Sequence, residues 1–333
     1  MEHSLALPLL VGLVALALAF DFLNGLHDAA NAIATVVSTR LLSPVQAVAF
    51  AAFGNFAAYW IVGLHVAETV GKGIINKDVV TPAVVFGALI GAMFWNVVTW
   101  LKGIPSSSSH ALIGGLLGAG VAHAGLGAVE SSGTIKTVVA IFLSPIIGFG
   151  IAMFLMLITS WGFRGVQPRT ANATFKGLHL ISSAAYSISH GGNDAQKTMG
   201  VIAVLLYSTG YLGGEFHVPE WVVISCYMAI ALGTLSGGWR IIKTMGSKLT
   251  KLNHHSGFCA STAGSFVVFG ASAMGIPIST THAITGSVVG TGAARRASAV
   301  RWSVASRVII AWFVTIPASA TVGALFYLLT RLW

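Results

Sequence analysis

Three charges sit where an apolar chain least tolerates them. Asp28, Asp194 and Lys197 lie inside long apolar stretches, with Asp21 a weaker fourth. An Asp or Lys at the centre of a membrane helix costs about 2.5–3.5 kcal/mol on insertion scales, so such groups default to function. The two acids have matching surroundings. Asn24-Gly25-Leu26-His27-Asp28-Ala29-Ala30-Asn31 and His190-Gly191-Gly192-Asn193-Asp194-Ala195-Gln196-Lys197 align at an offset of 166 residues. Gly and Asn make poor helix interiors and suit an unwound stretch whose carbonyls and carboxylate face a cavity. Oxygen ligands of that kind suit a hard cation, and a buried carboxylate alternatively carries a proton. Asn24, His27, Asp28, Asn31, Asn193 and Asp194 are therefore the candidates for a coupling-cation site.

Two hydroxyl clusters form a second constellation. Ile104-Pro105-Ser106-Ser107-Ser108-Ser109-His110-Ala111 aligns with Ile276-Pro277-Ile278-Ser279-Thr280-Thr281-His282-Ala283 at an offset of 172. Extended to Gly120 and Gly292, the register holds eight identities in 17 positions. Hydroxyls after a Pro break are natural helix N-termini, where free N–H groups and the positive end of the helix dipole favour an oxyanion. Ser106, Ser107, Ser108, Ser109, Ser279, Thr280 and Thr281 are the substrate-site candidates, joined by Gln196 and Lys197. His110 and His282 read as groups that orient the hydroxyl loops. Neither they nor Cys226 and Cys259 show metal-ligand spacing, so the identity of any metal is left open. A Ser-His-Asp hydrolase would need an elbow such as Gly-x-Ser-x-Gly, which is absent; no enzyme activity and no cofactor are expected.

The elements that must hold these groups are apolar throughout. Of 333 residues, 55% are apolar and 8% charged, against about 25% charged in a soluble domain. That excludes an ordinary soluble enzyme and a nucleic-acid binder, and the net charge of +9 reads as loop lysines and arginines. The reading is an all-α polytopic membrane protein of about ten to twelve helices. Five elements are expected at 5–39, 45–66, 81–101, 104–123 and 134–160, and five more at 177–212, 221–238, 256–275, 276–294 and 303–330. Residues 1–160 and 177–333 form two repeats, joined by a cytoplasmic linker at 161–176. The offset of 172 also pairs Pro145 with Pro317. An odd number of crossings per half makes the repeats inverted, with broken or re-entrant helices meeting at the midplane. Placing the linker in the cytoplasm puts twelve basic residues inside and only Lys72, Lys77 and Arg331 clearly outside. Both termini are then extracellular or periplasmic.

At these residues the chain resembles the inorganic phosphate transporter (PiT) family of secondary carriers. Its twice-occurring Gly-Ala-Asn-Asp-type motif is seen here as Gly25-Leu26-His27-Asp28-Ala29-Ala30-Asn31-Ala32 and Gly191-Gly192-Asn193-Asp194-Ala195-Gln196-Lys197. The Pro-Ser-Ser-Ser-Ser-His and Pro-x-Ser-Thr-Thr-His segments belong to it as well. The resemblance implies phosphate symport driven by a cation gradient, alternating access, a place in the cell's inner membrane and a homodimer. His27 stands where sodium-coupled members usually have Asn, and Gln196-Lys197 where they have Ala-Asn. Those variants resemble the bacterial branch regarded as proton-coupled and able to carry neutral metal–phosphate complexes. The competing readings are a sulfate or other oxyanion carrier on the same scaffold and an anion channel.

Overall fold

The computed structural model describes residues 7–332. The first residues of the first expected span, and the termini expected on the outer side, lie outside the described residues. Twelve α-helices are found among the described residues, and no strand. The first half holds α1 (Leu7–Ser38), α2 (Pro44–Ala57), α3 (His65–Gly73), α4 (Pro82–Lys102), α5 (Ser108–Ala124) and α6 (Ser131–Gly162). The second holds α7 (Pro168–Ser208), α8 (Glu220–Ser236), α9 (Trp239–Lys243), α10 (His254–Ala273), α11 (Thr280–Arg295) and α12 (Trp302–Leu329).

Local sequence explains most of the boundaries. Pro44, Pro82 and Pro168 open their helices at the first turn, where a missing N–H costs nothing. Ser43 with Gln46, and Asn253 with Ser256, form capping boxes. The expected linker is shorter than read from sequence, because α6 runs to Gly162 and Pro168 starts α7. Only residues 163–167 are non-helical there.

Each half breaks its second crossing. Segment Pro44–Trp60 meets His65–Gly73 at 82°, and Glu220–Ser236 meets Trp239–Gly246 at 63°. The breaks fall at Gly63 and at Gly237-Gly238. By contrast α1 and α7 run unbroken through the two Asp motifs, where unwinding was expected. The glycines there serve close packing instead. A Cβ on Gly25 would lie 2.2 Å from the Ile230 carbonyl oxygen of α8, and one on Gly191 2.6 Å from that of Asn55 on α2.

Among the described residues, five helices are long and apolar enough to cross a membrane, or up to seven if each bent pair is one span. The 41-residue α7 fails that test because it carries the polar motif, which its neighbours bury. The two repeats interlock rather than form separate lobes. Helix α5 packs on α12, where a Cβ on Gly118 would lie 2.0 Å from Ala320 O. Its counterpart α11 packs on α6, where a Cβ on Gly290 would lie 2.4 Å from Phe149 O. Pro145 and Pro317 lie inside those receiving helices.

Charge separates to the two ends of the bundle. Arg240 donates to Leu101 O (2.7 Å) and Thr244 to Gly103 O (3.0 Å), which gathers Lys102, Arg240 and Lys243 at one end. Arg295 donates to Lys251 O (3.2 Å) at that end as well. At the other end Tyr59 donates to Glu220 (2.5 Å) and Lys77 to Tyr207 (3.3 Å).

Candidate functional site

Two short turns bring the hydroxyl clusters inward. Gly103 (φ 62°) and Gly275 (φ 66°) both adopt the left-handed conformation that glycine tolerates, and they hold the same place in the two repeats. Each is followed by a Pro and an extended N-cap. Ser107 Oγ accepts from His110 N–H (3.2 Å) at the start of α5, and Ser279 Oγ from His282 N–H (3.1 Å) at the start of α11. The N–H groups of Ser108, Ser109, Thr280 and Thr281 are left without intrahelical partners. Both turns end buried against α1 and α7.

There the two repeats make matching bonds. Ser108 donates to Asp28 Oδ2 and Thr280 to Asp194 Oδ2, each at 2.9 Å. Those bonds stay within a repeat. Three residues after each Asp, the bonds cross: Asn31 Nδ2 donates to Thr281 (2.9 Å), and Lys197 Nζ donates to Ser109. The ammonium is completed by Asp194 Oδ1 and by Ile278 O (2.8 Å). Asn24 Oδ1 lies 2.5 Å from Ser108 Oγ. All of these side chains are at most 3% exposed, so the site is closed to both ends of the bundle.

His27 joins this network from one side. Its Nδ1 lies 2.8 Å from Asp28 Oδ1, and its Nε2 lies 3.1 Å from Thr99 Oγ1 and 3.4 Å from Ser106 Oγ. Ser106 in turn donates to Thr99 (2.9 Å). The Thr99 hydroxyl can donate to imidazole, or turn to Trp95 O (2.9 Å) and accept from imidazolium. Both protonation states of His27 thus have a complete set of partners.

The remaining expected residues divide. Gln196 is not brought into the site. Its Oε1 accepts from Val66 N–H (3.0 Å) and Ala67 N–H (3.2 Å) and its Nε2 donates to Gly63 O (2.7 Å), so its amide is spent on the N-terminus of α3. Asn193 donates to Ser272 (2.9 Å). His110 and His282 meet edge to face at 4.3 Å between centroids, one turn behind the hydroxyls, and His282 stacks on Trp312 at 3.7 Å. Among the described residues, neither ring bonds a carboxylate or a hydroxyl of the clusters; His282 Nδ1 lies 3.5 Å from Ile141 O.

Sequence reasoning passed over His190 and Thr99. His190 Nε2 is 3.2 Å from Asp194 Oδ2, while its Nδ1 lies 3.1 Å from Asn55 Oδ1. One ligand atom each of Asp28, His190 and Asp194 lie within 4.8 Å of one another, a spacing that suits a metal ion. The signals were present: His190 precedes Asp194 by one helical turn, and its counterpart in the first repeat is Asn24. Tyr186, whose hydroxyl donates to Thr280 O (3.0 Å), gave no such signal.

Comparison with known proteins identifies the family. The chain fits the phosphate transporter family over residues 24–169 and 164–323. It is 61% identical to a probable low-affinity inorganic phosphate transporter of Rhizobium meliloti (strain 1021), covering 98% of each chain. It is 42% identical to a protein of the same description from Bacillus subtilis (strain 168), covering 100% of this chain and 99% of that one. Among solved structures, one described as the sodium-dependent phosphate transporter superposes with a TM-score of 0.90 at 25% identity, over 98% of this chain and 100% of the other. The duplicated carboxylates, the paired hydroxyl turns and these likenesses agree: the chain is a multi-pass membrane transporter, not an enzyme, and belongs to the phosphate transporter family.

Proposed function

We propose that the protein takes up inorganic phosphate by cation-coupled symport, with the proton as the favoured cation. One observation carries this reading: two helix N-termini and two carboxylates share one closed, buried site. The first-turn N–H groups and hydroxyls of α5 and α11 supply donors for a tetrahedral oxyanion. Lys197 already compensates Asp194, so Asp28 is the carboxylate that repels that anion unless positive charge accompanies it, and this repulsion is the coupling. The His27–Asp28 pair, with a Thr99 hydroxyl that serves either protonation state, supports a proton in that role. Phosphate is favoured over sulfate because it can keep a proton to donate to a carboxylate. Alternating access fits a site reached by two symmetric turns and two bent helix pairs. The basic end of the bundle then faces the cytoplasm. Assembly as a homodimer rests on family resemblance alone.

The Asp28–His190–Asp194 cluster favours a second reading of the cargo, in which a divalent metal enters together with phosphate. Uptake by reconstituted vesicles, with sodium, pH and magnesium or manganese varied independently, tests both. Phosphate accumulation that follows an inward proton gradient without sodium is the expected result. Sulfate accumulating equally well would overturn the phosphate assignment. Metal retained outside while phosphate enters would remove the second reading.

A further inference from the structure

The matching bonds of the two repeats define two equivalent pockets, and they are filled differently. In the second repeat, three oxygens converge on one point: Asp194 Oδ1, Ser109 Oγ and Ile278 O. A carboxylate, a hydroxyl and a carbonyl make a set suited to a hard monovalent cation. The Lys197 ammonium occupies it, and its three protons match the three acceptors. The offsets place Asp28, Thr281 and the Ser106 carbonyl at the corresponding positions of the first repeat. There Thr281 Oγ1 lies 3.4 Å from Asp28 Oδ1. The residue in the place of Lys197 is Asn31, which is too short and uncharged. Asn31 gives its Nδ2 to Thr281, and its Oδ1 is buried without any hydrogen-bond partner. Asp28 has no Lys or Arg partner among the described residues and pairs instead with the His27 imidazole (2.8 Å), so no fixed ammonium fills this pocket.

We infer that Lys197 is a fixed cation built into one of two equivalent cation pockets, so that only the pocket at Asp28, Asn31 and Thr281 takes a mobile one. This rests on the symport reading and deepens it, because it sets the number of coupling cations per cycle at one. The lysine replaces a second ion that the solution would otherwise have to supply. Its removal should therefore create a cation requirement that the unmodified protein lacks.

The experiment compares Lys197→Ala and Lys197→Asn with the unmodified protein in proteoliposomes whose external cation is choline, potassium, sodium or lithium. Thermal melting in the same salts runs in parallel. The unmodified protein should be indifferent to sodium. Each variant should lose uptake by at least about tenfold in choline, regain most of it in sodium or lithium, and gain melting temperature only in those salts. Three outcomes overturn the inference. Variants that do not stay folded in any salt would make Lys197 a structural ion-pair partner, and variants that fold but stay inactive in every salt, or that transport in choline like the unmodified protein, would equally remove the inference. Failure of the unmodified protein to take up phosphate at all would instead remove the symport reading.

Discussion

Asn31 and Lys197 occupy the same place in the two repeats, and each reaches across to a hydroxyl of the other repeat's turn, Asn31 to Thr281 and Lys197 to Ser109. The two halves of the site are thus tied by reciprocal bonds that differ in one charge.

That difference can be reversed. Asn31→Lys would place an ammonium in the first-repeat pocket as well, leaving no room for a mobile cation. Concentrative uptake should fall to background, while phosphate added to the detergent-solubilised variant still raises its melting temperature. Uptake that stays coupled to a proton gradient would show that the mobile cation binds elsewhere.

Asp28→Asn and Asp194→Asn keep side-chain size and remove the charge. Both should abolish accumulation against a gradient, yet insert and remain monodisperse. Asp194→Asn should be the less stable, because it leaves the Lys197 ammonium buried without its carboxylate, a loss of about 3–5 kcal/mol. Near-normal accumulation by both variants would remove the carboxylates from the coupling step.

The hydroxyls should separate into two groups. Ser107→Ala and Ser279→Ala delete N-caps and should cost about 0.5–2 kcal/mol of stability each, with little change in half-saturating phosphate. Ser108→Ala and Thr280→Ala delete donors at the carboxylates, worth about 0.5–1.5 kcal/mol apiece, and should raise half-saturating phosphate several-fold. A concentration series of uptake beside a melting curve distinguishes the groups. Identical behaviour of all four would make the clusters plain caps.

Gln196→Leu tests a residue that its motif placed in the substrate site and the fold places at α3. It leaves two buried N–H groups of α3 unpaired, at about 1–3 kcal/mol each. The melting temperature should drop while half-saturating phosphate stays constant. A changed phosphate affinity at unchanged stability would return Gln196 to the site.

Much of this architecture is legible in the chain because the duplication writes it twice. The offsets alone locate the paired carboxylates, the paired hydroxyl turns and the paired prolines. What escaped has physical reasons. The short helices α3 and α9 carry Glu68 with Lys72 and Arg240 with Lys243, so hydropathy ends the preceding span before each bend and leaves both helices in loops. The Asp motifs look helix-breaking because Gly and Asn lower helix propensity, but tertiary packing overrides that preference. Gly25 and Gly191 let a neighbouring backbone approach, and His190 and Asn193 find partners on other helices in Asn55 and Ser272. Gln196 and Lys197 are adjacent in sequence yet about 100° apart around α7, so Gln196 reaches α3 and Lys197 the hydroxyl turns. Spacing along the chain cannot say which turn of which helix stands opposite.

The crossed packing of α5 on α12 and of α11 on α6 bears on how such a chain could arise. A single repeat keeps a glycine-lined helix face whose partner lies in the other repeat. Standing alone, it would be complete only beside a second copy inserted in the opposite direction. The 333-residue chain therefore fixes covalently what would otherwise be an antiparallel dimer of half-length subunits. A joined chain also allows the halves to differ. In a dimer of identical subunits a lysine at this position would enter both halves of the site at once, whereas the joined chain places it in one.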